Sequence, residues 1–168
     1  MKIRLLVALP LAISLSFSQL QAKPQPVAVD ELRPTQQHQK TVLISRKVME
    51  KYHYKKHRLN NKLSAEIFRQ YLKLLDPNKS FFTANDIEQL EQRYRTSLDD
   101  DIRHARLDSA FDIFKRYRER VEQRASQALD LLTQPIDTST DMTYLVDREE
   151  APWSPSIAAL DELWRKRI

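Results

Sequence analysis

Residues 63–90 read LSAEIFRQYLKLLDPNKSFFTANDIEQL, and this stretch limits the possible folds more than any other. Leu63, Ile67, Phe68, Tyr71, Leu74 and Leu75 recur at steps of three and four, which places them on one helix face. Asp76-Pro77 ends that helix, because the proline ring disfavours helical geometry at the residue before it. Asn78, Lys79 and Ser80 supply a turn, and Phe81-Phe82 return the chain with a large apolar load. Thr83 and Asp86 have the spacing of a capping box: each side chain can bond the other residue's backbone N–H. Ile87, Leu90, Tyr94 and Leu98 continue the apolar stripe into a second, heavily charged helix, with Asp99-Asp100-Asp101 near its end. The pattern predicts an αα-hairpin whose apolar faces meet.

The chain contains no glycine in 168 residues. Tight hairpin turns that need positive φ, glycine-rich phosphate loops and the G-x-S-x-G nucleophile elbow are therefore excluded. With no cysteine either, thiol catalysis, disulfides and thiolate metal sites are excluded. The length suits one domain. The expected fold is all-α, a bundle of about four to five helices.

The N-terminus reads as an export signal. Lys2 and Arg4 precede an apolar run over residues 5–17, broken only by Pro10, Ser14 and Ser16. That run is about a dozen residues, short of the ~20 needed to span a bilayer. Ala22 followed by Lys23 is the expected cleavage bond, making residues 1–22 a signal peptide. An uncleaved anchor is the alternative. Cleavage would remove two cations and no acid from a formal charge of +5. The remaining excess is mild and demands no anionic partner.

After the signal, residues 23–34 hold three prolines and read as an extended, mobile lead-in. Residues 35–132 form the expected bundle. Thr35 caps a first helix striped by Val42, Ser45, Val48, Met49 and Tyr52, and Asn60 and Asn61 are loop residues. A break at residues 104–107 precedes the longest helix, begun by Asp108 or Ser109. Its expected seam is Phe111, Phe114, Val121, Ala125, Ala128 and Leu132, with Tyr117 beside the one gap. Glu119, Arg120, Glu122, Gln123 and Arg124 fall mostly on its outer side. Pro135 ends this helix. Residues 133–155 read as a strap held on by Ile136, Tyr144, Leu145 and Trp153. Ser154-Pro155-Ser156 then starts a last helix over residues 156–168, with Leu160, Leu163 and Trp164 on its apolar side.

Clusters with chemical potential have bland readings that outweigh the sharp ones. His53 and His57 have the i,i+4 spacing of a zinc pair, but no H-E-x-x-H and no third ligand accompany them. Lys51, Lys55, Lys56, Arg58 and Lys62, interleaved with Tyr52 and Tyr54, could hold single-stranded nucleic acid. The export signal argues against that partner and leaves a solvated basic face, or an anionic protein or envelope surface. Asp99, Asp100 and Asp101 with His104 lack the glycine and terminal glutamate of a calcium loop. The Asp108/Asp112 and Glu119/Glu122 pairs read as helix-surface charges. Tyr144, Trp153 and Trp164 read as packing of the strap rather than a binding face. No metal or cofactor is expected.

Two blocks of residues carry a resemblance. The first is Ile67-Phe68, Tyr71-Leu72, Leu75-Asp76, Phe81-Phe82 and Asp86-Ile87-Glu88. The second is Tyr144, Asp147-Arg148, Ala151-Pro152-Trp153, Leu160 and Leu163-Trp164. In order and spacing they resemble the N-terminal helical domain of the tail-specific, carboxy-terminal processing proteases of Gram-negative bacteria. The likeness runs from about residue 41 to residue 168. It implies a periplasmic setting and a parent serine endopeptidase with a lysine general base, served by a PDZ domain that captures substrate C-termini. Those parts lie beyond the helical region in the family, and no residue here matches them. No catalytic residue is carried over, and Ser80, Ser97, Ser109 and Ser126 have no motif support as nucleophiles. The resemblance implies two partners, the PDZ–protease core and a helical-repeat lipoprotein adaptor. The expectation is a chain truncated before the catalytic domain, inactive alone, with a scaffold and substrate-access role. The alternative is a free-standing periplasmic interaction module. A cation- or anion-binding helical protein is a third reading.

Overall fold

The computed structural model describes residues 27–54, 58–135, 139 and 141–168. The signal peptide with its Ala22-Lys23 bond, and Lys55, Lys56, His57 and Ile136, lie outside the described residues. The fold is all-α. After a 3-10 turn at Val29–Glu31 come α1 (Gln36–Tyr52), α2 (Asn61–Leu75), α3 (Ala84–Tyr94), α4 (Leu98–Arg103), α5 (Asp108–Leu132) and α6 (Ile157–Arg167). Among the described residues the only extended pairing is a single parallel bridge between Thr83 and Ser154.

Helix starts follow local chemistry. Thr35, Asn60, Thr83 and Ser156 each accept a bond from a backbone N–H in the first turn of α1, α2, α3 and α6, satisfying donors that a helix start leaves open. Asn60 and Asn61, expected in a loop, are the N-cap and first residue of α2.

The core is Phe68, Leu72, Phe82, Leu90, Leu98 and Ile113, with Ile67, Tyr71, Leu75, Ile87, Tyr94, Tyr117 and Trp153 packed around it. It sits where α2, α3, α4 and α5 converge. Complete burial of Phe82 contributes about 2–3 kcal/mol. Leu160 on α6 is also completely buried. Leu74, expected on the inner face of α2, is 77% exposed.

Three other expectations change. The second hairpin helix stops at Tyr94, which brings the helices among the described residues to six. Ser97 N–H bonds Tyr94 carbonyl at 3.3 Å, and Leu98 N–H donates to the buried Ser64 hydroxyl at 2.9 Å. That tertiary bond redirects the chain while the Tyr94/Leu98 spacing hides the break. Secondly, residues 29–31 of the lead-in coil into their 3-10 turn against α5. Thirdly, α5 buries Ile113 and Arg124, not the expected seam, of which Ala125 and Leu132 are exposed.

Without glycine, two ordinary residues among those described take left-handed geometry: Lys79 at φ 48° and Ala105 at φ 53°. Ala105 lies just past α4, where Arg106 N–H reaches back to Asp101 carbonyl at 2.8 Å, a closure that glycine usually serves. A Cβ in this region costs roughly 1–2 kcal/mol.

Candidate functional site

Most of the positions that carry the resemblance converge on the turn between α2 and α3. Asp76, at the C-cap of α2, is buried. Its carboxylate accepts the backbone N–H groups of Ser80 at 2.8 Å, Phe81 at 2.9 Å and Phe82 at 3.0 Å. One side chain thus pairs three donors that the turn would otherwise leave open in the interior, where each orphan costs about 1–3 kcal/mol. Its backbone carbonyl also takes Lys79 N–H at 3.1 Å. The bonded turn presents Phe81 and Phe82 side by side. Tyr117 meets Phe81 edge-on at 5.5 Å, an arrangement aromatic quadrupoles favour, and lies tilted against Phe82 at 5.8 Å.

The strap closes over this turn. Trp153 meets Phe82 edge-on at 6.0 Å. Lys79 Nζ donates to Ala151 carbonyl at 2.7 Å and lies 5.6 Å from the Trp153 ring centre. Ala84 N–H donates to Ser154 carbonyl at 2.8 Å, so the strap also occupies a donor at the start of α3. Lys73 pairs with Glu149 at the rim. Trp164 on α6 donates its indole N–H to Ser80 carbonyl at 2.7 Å and packs on Phe81 at 5.5 Å. Residues 84 positions apart in sequence therefore close one aromatic cluster.

Below it lies a buried ionic centre. Thr83 N–H and hydroxyl both donate to Asp86 Oδ2, at 3.0 and 2.8 Å, and Asp86 N–H returns a bond to the hydroxyl at 3.1 Å. Arg120 grips both carboxylate oxygens, Nε at 2.8 Å and the terminal nitrogen at 2.7 Å. Arg116 stands 3.9 Å away. Burial pushes the Asp86 carboxyl up, but the bonds from Arg120 and Thr83 outweigh it and hold the group below its ordinary value. Asp86 in turn raises Arg120 against the opposing effect of burial. A second buried arginine, Arg124, reaches Asp161 on α6 and Gln127 on its own helix. Both arginines were expected on the outer side of α5.

The structure brings together Ile67, Phe68, Tyr71, Leu75, Asp76, Phe81, Phe82, Asp86, Trp153 and Trp164. Tyr71 also donates its hydroxyl to Ala110 carbonyl at 3.2 Å, fixing α2 to α5. The remaining signature positions stand apart. Asp147 is exposed and accepts Glu149 N–H at 3.1 Å. Arg148 carbonyl accepts Ala151 N–H at 3.0 Å, and Pro152 is exposed. Leu145, expected to hold the strap, is also exposed. Sequence reasoning missed Arg120 and Arg124. Their signal was their spacing from Tyr117 along one face, at three and seven residues.

The acidic run serves structure. Asp100 pairs with Arg103 at 2.7 Å, while Asp101 binds Arg106 and the Ser109 hydroxyl. Asp112 accepts the Tyr94 hydroxyl at 2.8 Å. The His53 ring stacks on Tyr54 at 5.2 Å. Among the described residues no three His, Cys, Asp or Glu side chains are placed to hold a metal ion, and no helix is long and apolar enough to cross a membrane. The arrangement is that of a rigid packing centre, with its acids committed to backbone donors and arginines.

A family model described as the tail specific protease N-terminal domain matches residues 45–168. A tail-specific protease of Haemophilus influenzae is 35% identical over 116 residues, which are 69% of this chain and 17% of that protein. The chain thus spans less than a fifth of the relative's length. The matched span contains the whole aromatic and ionic centre, and by it the chain belongs to the tail specific protease N-terminal domain family.

Proposed function

We propose that this chain is the helical scaffold of a periplasmic serine endopeptidase that processes protein C-termini, and that by itself it cleaves nothing. Residues 1–22 serve as its export signal, residues 23–34 as a lead-in, 35–132 as the bundle, 133–155 as the strap and 156–168 as the closing helix. In this reading it shapes access to a PDZ–protease core, and a helical-repeat lipoprotein adaptor is a further partner. The observation that carries the reading is the centre around Asp76 and Asp86. The polar groups most deeply set in the matched region are spent on holding four helices and a strap in one arrangement. Ser64, the most buried serine, accepts Leu98 N–H, and the Lys79 ammonium is engaged with Ala151 carbonyl. Both are structural uses of groups that a serine–lysine site would need free.

The test is turnover of a fluorogenic peptide with an apolar C-terminal tail. The purified chain is expected to give no turnover above buffer, and a full-length relative carrying the same domain is expected to cleave. Turnover by the chain, abolished by one Ser→Ala change, would overturn the reading. Periplasmic extraction followed by intact mass tests the leader: loss of residues 1–22 is expected, and retention of Met1 would contradict export with cleavage.

A further inference from the structure

Helix α1 stands outside the core. None of its 17 residues is buried. Its inner side is held lightly. Arg46 donates to Arg103 carbonyl at 2.7 Å, and the His38 ring lies 5.5 Å from Phe111. Val42 and Arg46 are the two half-buried residues. On another side Ile44, Val48 and Tyr52 follow at steps of four and are 62%, 48% and 70% exposed. Lys40, Lys47 and Lys51, all exposed, fall on the adjoining strip, because steps of seven and four return to one side of a helix. The one acid of the helix, Glu50, lies off that strip and pairs with Arg46 at 3.6 Å. Tyr54, two residues past the helix end, is exposed as well.

We propose that this side of α1 docks on an anionic phospholipid surface. The aliphatic side chains enter the headgroup–acyl boundary, the tyrosines settle at headgroup depth, and the lysine row reaches the phosphates. At a bilayer the exposed lysines beside this apolar row each add attraction to the phosphates. The attraction to an extended negative surface comes from this local lysine row; the net charge, +5 on the full chain and milder once residues 1–22 are lost, adds little to it. A substitution on this side disturbs no buried contact, so its effect on binding is separable from folding.

The experiment is cosedimentation of the full chain with two vesicle types: phosphatidylcholine alone, and phosphatidylcholine with an equal part of phosphatidylglycerol. Binding driven by the apolar run in residues 1–22 would appear with both and persist in every variant. The proposal expects a salt-sensitive excess on the anionic vesicles. Lys40→Gln/Lys47→Gln/Lys51→Gln lowers that excess roughly a hundredfold, at about a decade or less per lysine. Ile44→Ser/Val48→Ser lowers it as well, and both variants keep the parent circular dichroism and denaturation midpoint. A photoreactive residue at position 48 is expected to label lipid in membrane suspensions. Equal binding to both vesicles, an excess unchanged in the variants, or labelling of an acidic protein or a second copy instead of lipid would overturn the proposal.

Discussion

Two helices of this molecule begin with the same local device and end with opposite fates. Thr35 and His38 form a capping box at α1, and Thr83 and Asp86 form one at α3. In the first, the bonds measure 3.2 and 3.4 Å and lie in solvent. In the second, both residues are buried, and Arg120 arrives from α5 to clamp the carboxylate. Upstream of the second box Asp76 pairs three more backbone donors, and a strap and an aromatic cluster cover it. Among the described residues nothing comparable covers α1. A cap therefore decides where a helix starts. What gathers around the cap decides how much of the fold rests on it.

Asp76→Ala gives the largest expected effect on this contrast. It orphans three backbone donors beside Phe82, and a loss of about 3–5 kcal/mol is expected, read as a lower urea midpoint or failure to fold. Asp86→Asn comes next, at about 3 kcal/mol, because it leaves the Arg120 guanidinium half-buried without a counterion. This pair also predicts a pH signature. The folded-state pKa of Asp86 is depressed, so its stabilisation is fully present above the unfolded value, near 3.8. It fades as pH falls from there through the native value. The stability difference between parent and Asp86→Asn should therefore be constant near neutrality and narrow in acid. A difference that does not narrow would remove Asp86 from the account. Thr35→Ala is the smallest, about 0.5–1 kcal/mol, and confined to α1. It should lower helix content slightly and leave the global midpoint in place. A shift of that midpoint matching Asp86→Asn would erase the contrast.

What the sequence made legible follows the same division. The end of α2 at Asp76-Pro77, the Thr83/Asp86 box, the start of α5 and the start of α6 at Ser156 are all written in neighbouring residues, and their physics is local. The break between α3 and α4 is not, because it depends on Ser64, thirty-four positions from Leu98. The stripe of α5 was misplaced for a similar reason. Arg120 and Arg124 count as polar in any periodicity, yet Asp86 and Asp161 give them partners that make burial tolerable. Asp76 was readable as a helix stop but not as the acceptor for three amides, which needs the turn's geometry. The apolar residues of α1 were read as a stripe. Spacing shows that a face exists but not whether anything lies against it.

Hydrogen exchange of the native chain, resolved to single amides, tests the central claim most directly. That claim is that the turn at residues 76–86 anchors the domain while α1 rests on it. The amides of Ser80, Phe81 and Phe82 should exchange only through global unfolding, with protection that tracks the urea-derived stability. Amides in the middle of α1, such as Val48, should exchange through local opening, orders of magnitude faster. Turn amides exchanging as fast as those of α1 would contradict the account, since the bonds to Asp76 would then not be holding the centre closed.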